Sequence, residues 1–132
     1  MSSVLKAFNN HLLEFVDDII NVFPHDSELK TTRIFMYGLT KAKPRNIMKI
    51  WKVHIIGPYH KEIAGGNFNF FIEKDYTWDV GEGVDGNKDE MLQSITRMQK
   101  QIRNMEQTNK QKAMKYIQNL TKLCNLYFID KQ

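Results

Sequence analysis

Apolar positions recur along this chain at steps of three and four almost throughout, the period of helices that each bury one face. Val4, Leu5, Phe8, Leu12, Phe15, Val16, Ile19, Ile20 and Phe23 form the first such stripe, and Pro24 ends it. Asp26 or Ser27 can cap a second helix by accepting hydrogen bonds from its free backbone N–H groups, and Glu28 suits the positive end that follows. Leu29, Phe35, Met36 and Leu39 then make its inner face. Pro44 fits the first turn of a third helix, where a missing N–H costs nothing, with Ile47, Ile50, Trp51, His54 and Ile55 sharing one side. Gly57 and Pro58 are expected to bend or restart the chain, and a short turn bearing Tyr59 and Ile63 to stop at Gly65 and Gly66.

The stretch "NFNFFIEKDYTW", residues 67 to 78, alternates like a strand at Phe68, Phe70 and Ile72, but Phe71 spoils the alternation. A short helix packed by aromatics is the preferred reading, with a strand as its alternative. Residues 79 to 89, "DVGEGVDGNKD", combine three glycines with four carboxylates and read as an exposed acidic loop. Two long helices follow, one with Leu92, Ile95, Met98, Ile102 and Met105 on its stripe, the other with Met114, Ile117, Leu120, Cys124 and Tyr127. Thr108 and Gln111 form a capping box between them, which favours an antiparallel hairpin over one continuous helix. The first arm carries only about two heptads, too few for a coiled coil. The expected fold is therefore all-α: a compact helical bundle with an N-terminal three-helix region and a C-terminal helical hairpin, in one domain spanning residues 1–132. A length of 132 residues with 42% hydrophobic content suits one such core, and 26% charge lies well away from the disordered class.

Charge adds a second pattern. Residues 1 to 28 carry one basic and five acidic side chains, and 29 to 61 carry eight basic and no acidic ones. Residues 62 to 90 carry two against eight, and 91 to 132 eight against two, for a net charge of +4. The 33-residue basic stretch concentrates Lys41, Lys43, Arg45, Lys49 and Lys52 in "KAKPRNIMKIWK" and its surroundings. On a helix Arg45, Lys49 and Lys52 fall at steps of four and three, opposite the apolar stripe. Two readings of this candidate basic surface stand side by side. Phosphate contacts with stacking on Tyr37 or Tyr59 would serve a nucleic acid, although Trp51 lies on the inner stripe and belongs to the core. Alternatively, the basic side chains face acidic parts of the fold, an identical neighbour or another protein. A modest net charge and the absence of an RRM, KH, zinc-finger or basic-zipper signature favour the second reading.

Candidate chemistry is sparse. His11, His25, His54 and His60 are scattered without zinc-ligand spacing, and a lone histidine on an apolar stripe is the usual core histidine. "DGNKDE" opens like a calcium loop at Asp85, but Glu90 replaces the turn glycine and Thr96 the closing carboxylate. Asp75 and Asp79 would share a helical face with Glu73 near by, which reads as a solvated acidic face. The glycines match no phosphate-cradling or dinucleotide fingerprint. Cys124 lies on a buried stripe without neighbouring charge that would favour a thiolate. No catalytic, cofactor-binding or metal-binding residue is assigned, and no enzyme activity is expected. The single cysteine, the early acidic residues and the absence of about 18 consecutive apolar residues suggest a reducing, cytosolic or nuclear setting and no membrane.

"FNNHLLEFVDDIINVFPHDSELKT", then "KAKPRNIMKIWKVHIIGPYHKEIAGGNFNFFIEKDYTWDV", resembles a family of small uncharacterised helical proteins encoded by large nucleocytoplasmic DNA viruses. "NKQKAMKYIQNLTKLCNLY" is similar to its C-terminal segment. The resemblance rests on packing and turn patterns over most of the chain. It implies a protein of the infected host's cytoplasm, acting in the viral factory or packaged in the particle, and it supplies no activity or site residue. The expectation is a non-enzymatic interaction or assembly protein that binds viral proteins or itself through segregated basic and acidic surfaces. Its alternative is an accessory nucleic-acid-binding protein using the basic segment 30–61.

Overall fold

The computed structural model describes residues 3–66 and 86–129, with Asn69 and Glu73 between them. It is an all-α bundle: α1 (Ser3–Val22), α2 (Ser27–Ala42), α3 (Asn46–Trp51) continued by a π-helical segment (Lys52–Ile56) into α4 (Gly57–Ala64), then α5 (Gly86–Arg103) and α6 (Gln107–Ile129). Apart from Asn69 and Glu73, the aromatic stretch 67–78 lies outside the described residues, as do Asp75, Asp79 and the acidic loop through Asp85, while the rest of the calcium-like motif, residues 86–90, is helical. Gly86 already opens α5.

The first helix is the axis of the bundle. It packs most extensively along α6 and α2 and also touches α3 and α5. Its expected stripe is the core: Leu5, Phe8, Leu12, Phe15, Val16 and Ile19 are buried, with Val4, Ile20 and Phe23 packed at the margin. Removing a side chain of this size from water contributes about 1.5–3 kcal/mol. Trp51 meets Phe8 edge to face at 6.0 Å between ring centroids and donates its indole N–H to Thr121 Oγ1 at 3.3 Å. The third helix is thereby tied to α1 and α6 through the core.

Asp26 caps α2, accepting from the backbone N–H groups of Glu28 at 2.9 Å and Leu29 at 3.1 Å. Its other oxygen accepts from Gln101 Nε2, so the cap also anchors α5. Burial pushes the Asp26 carboxyl up, but the Leu29 N–H, Gln101, the Glu28 N–H and Lys100 outweigh it and hold the group below its ordinary range. Leu29, Met36 and Leu39 are buried as expected, joined by Thr32 and Thr40, while Phe35 is half-buried.

Three expectations are corrected. Pro44 lies in the turn ahead of the third helix, because the first helical bond runs from the Lys49 N–H to the Arg45 carbonyl, and the Pro44 carbonyl accepts instead from Asn9 Nδ2 at 2.9 Å. The chain does not break at Gly57 and Pro58. A proline inside an α-helix removes one bond and crowds the carbonyl four residues back; here the turn before it widens, the Gly57 N–H bonds the Lys52 carbonyl, and the helix continues into α4. It stops at the expected glycines, Gly66 taking the left-handed φ of 74° and donating its N–H to the Ile63 carbonyl, which also accepts from Gln118 Nε2 at 3.1 Å. Finally, α6 begins at Gln107, so Thr108 sits inside its first turn rather than at the cap.

The chain between α5 and α6 does turn, through bonds from the Asn104 N–H to the Gln101 carbonyl and from the Met105 N–H to the Ile102 carbonyl. All ten apolar positions expected on the two stripes are buried. The arms of this hairpin lean on different supports, α5 on α2 and α6 on α1, with only a minor seam between them.

Candidate functional site

The five basic candidates do not form one surface. Lys43, Arg45 and Lys49 line a shallow groove of about 380 Å³ whose floor includes Leu5 and Pro44. Lys41 lines a neighbouring groove of about 400 Å³ with Lys6, Asn9, Asn10 and Thr40. The fold builds this corner from three elements: the last turn of α2, the turn bearing Pro44 into α3, and the first turns of α1. Among the described residues no acidic side chain lines either groove. Among the described residues, Lys6, Lys41, Lys43, Arg45 and Lys49 make no ion pair.

Lys52 is drawn elsewhere. Its ammonium lies 4.1 Å from the centroid of the Phe128 ring, half-buried against α6. The α-helical register persists as far as Lys52, whose backbone N–H bonds the Met48 carbonyl, so its side chain leaves the Arg45 and Lys49 row by reaching to Phe128.

Lys6, Asn9 and Asn10 are the additions that the sequence reading missed. Lys6 is the lone base of an acidic quarter, and only the packing of α1 against α2 sets it beside Lys41. Asn9 carried a readable signal, a polar residue four positions from Leu5 and next to Phe8 on an otherwise apolar stripe. It is 5% exposed and holds the two grooves together through its bond to Pro44. Because Nδ2 must point at that carbonyl, Oδ1 is the other end of the amide, and it has no partner among the described residues.

The aromatic candidates for stacking fare differently. Trp51 is 2% exposed and part of the core, as expected. Tyr37 is 48% exposed on α2, with Arg33 5.7 Å and Lys41 5.4 Å from its ring centroid and the exposed Ile34 beside it in sequence. The Tyr59 side chain lies outside the described residues.

A second polar cluster runs along the α1–α6 seam. Tyr116 stacks on Phe15 at 5.0 Å, lies 4.8 Å from His11 and donates its hydroxyl to Asp18 Oδ2 at 2.6 Å. Burial, followed by that bond and the charges of Asp18, Glu14 and Asp17, pushes the Tyr116 phenol up to about 12. His11 approaches Glu14 at 3.4 Å, and Arg33 donates to Asp17 at 2.9 Å.

Cys124 is fully buried and donates to the Met48 carbonyl at 3.5 Å. Burial, partly offset by Lys52, pushes its thiol up to about 12, which leaves almost no thiolate near neutral pH. Among the described residues no three His, Cys, Asp or Glu side chains are placed to hold a metal ion, and no helix is long and apolar enough to cross a membrane. Neither family models, curated proteins nor solved structures give a match to the chain.

Proposed function

We propose that this chain is a non-enzymatic interaction or assembly protein that engages another protein through the basic corner where α1, α2 and α3 meet. One observation carries the reading: two adjoining grooves present Lys6, Lys41, Lys43, Arg45 and Lys49 with no acidic side chain among the described residues in either lining. Exposed, unpaired charge of one sign speeds encounter with a complementary partner and rejects a like-charged one. The resemblance read in the sequence extends the proposal to a protein of a large DNA virus. It would act in the host cytoplasm or viral factory, or in the particle, with other viral proteins or a second copy as partner.

Light scattering and native mass spectrometry at about 50 and 200 mM salt test this, together with capture of partners from infected-cell lysate. A salt-sensitive oligomer or a defined viral partner lost on K43E/R45E/K49E supports the reading. A strict monomer with no partner removes it.

Accessory nucleic-acid binding is the second reading, favoured by the exposed Tyr37 beside Arg33 and Lys41. Anisotropy of labelled DNA and RNA at the same two salt concentrations separates it, since several phosphate contacts lose affinity steeply over that range. Strong binding at low salt that collapses at high salt would replace the protein reading with this one.

A further inference from the structure

We propose that the outer face of α2 carries a second docking site, a socket framed by Ile34, Tyr37, Gly38 and Lys41 that receives an apolar side chain from an acidic helix of a partner protein. The inference goes beyond the basic corner, with which it shares only Lys41.

The four residues stand at i, i+3, i+4 and i+7 of α2, the positions that frame a hole on the surface of a helix. Ile34 is 73% exposed, the most exposed large hydrophobic side chain among the described residues, and Tyr37 at the next corner is 48% exposed. Gly38 lies well inside the helix, where glycine is the poorest former after proline. The fold gives no steric reason for it, since an added Cβ would meet no atom within 4 Å. Exposed apolar side chains that stand singly need no partner, but these two flank a glycine that weakens its own helix. That glycine leaves the hole deep enough for a large incoming side chain, which gives it a role at an interface that it lacks within the chain.

Chemistry identifies the occupant. α2 spends its backbone groups within the helix, so a strand laid on this face would leave its own N–H and C=O groups unpaired there, whereas a helix satisfies them internally. Lys30, one turn before Ile34, and Lys41 bracket the apolar pair and make no ion pair among the described residues, which selects carboxylates on both sides of the incoming side chain. The same two cations oppose a second copy of the chain, because this face paired with itself, parallel or antiparallel, sets lysine against lysine. A stacked nucleobase would use the Tyr37 ring and leave Ile34 and the open hole at Gly38 unused, whereas an apolar side chain uses all three. From Lys30 to Lys41 the face runs about 16 Å, which suits a small, transient contact.

The test uses the full chain and a fluorescein-labelled peptide of about 21 residues, three heptads with Leu at a and d and Glu at e and g, whose own charges oppose its self-pairing. Anisotropy at about 150 mM salt compares it with the same peptide carrying Lys in place of Glu and with an oligothymidylate of similar length. The expected result is tightest binding of the acidic peptide, weakened about tenfold by Gly38→Leu and by Ile34→Ser. Gly38→Leu should at the same time raise the denaturation midpoint, because it improves the helix and enters open space, so that weaker binding cannot be a loss of folding. Unchanged binding to Gly38→Leu overturns the inference. If K43E/R45E/K49E abolishes binding in that case, the peptide sits in the basic corner and that reading stands on its own. A lowered midpoint would make Gly38 a requirement of the fold and overturns the inference too. Equal binding of the basic peptide, tighter binding of the oligothymidylate, or no binding of the acidic peptide does the same.

Discussion

Along α1 and its seam with α6, acidic side chains find partners within the chain; at the corner of α1, α2 and α3, basic side chains make no ion pair among the described residues. Asp17 is held by Arg33, Asp18 by the Tyr116 hydroxyl and Glu14 by His11. Lys6, Lys41, Lys43, Arg45 and Lys49 make no ion pair among the described residues. The alternating acidic and basic quarters of the sequence suggested mutual neutralisation, and the Asp17–Arg33 contact is an instance between the first two. The difference teaches where to look for a partner. Charge already satisfied by the fold helps to fix helix positions, whereas charge left over is available to another molecule.

Substitutions at four places sharpen or break that contrast. The largest effect belongs to the inner side of the corner: Trp51→Ala removes a 2% exposed side chain and is expected to cost about 3–5 kcal/mol in chemical denaturation. A much smaller cost would mean that α3 is not held by the core and that the grooves are not preformed.

Next comes the seam. Tyr116→Ala loses stacking on Phe15 and the bond to Asp18, for an expected loss of about 2–3 kcal/mol, and Tyr116→Phe about 1 kcal/mol. If Tyr116→Ala leaves the denaturation midpoint unchanged, the seam is no more structural than the corner and the comparison fails.

Asp26→Ala should cost about 1 kcal/mol through the lost cap. Because the folded-state pKa is lowered, the stability contributed by the Asp26 carboxylate is present above the unfolded value of 3.8 and is lost as pH falls through the lower folded value. Asp26→Asn keeps a capping oxygen, so its stability should vary less with pH below 5 than that of the wild type, as read from denaturation midpoints.

The smallest stability effect is expected at the outer side of the corner. Lys43→Ala, Arg45→Ala and Lys49→Ala should each change stability by less than about 0.5 kcal/mol while weakening an acidic ligand, measured by denaturation and anisotropy in parallel. A loss of stability comparable to that of Tyr116→Ala would make these side chains structural and remove the grounds for a binding corner.

Much of this architecture was legible in the chain. The stripes on α1, α5 and α6 are local properties, since a three- or four-residue step puts side chains on one face whatever the helix packs against. The Asp26 cap and the stop at Gly65 and Gly66 were legible for the same reason, each depending on bonds or dihedral angles within a few residues. Local rules failed at Gly57 and Pro58, where a π-helical turn carried the helix past an expected break. They failed again at Thr108, where α6 starts two residues early.

The basic segment shows how a site differs from an element. Lys41, Lys43, Arg45 and Lys49 could be named from charge density alone, because an acid-free run is visible in one dimension. Their division between two grooves, the withdrawal of Lys52 to Phe128, and the arrival of Lys6 and Asn9 depend on contacts between residues far apart in the chain. By itself, then, the sequence determined an all-helical chain, its buried stripes and the stretch that carries its positive charge, because periodicity and composition act locally. Only the tertiary structure decided which charges are neutralised and which are left facing a groove, because pairing depends on distances of a few ångströms that helix packing sets.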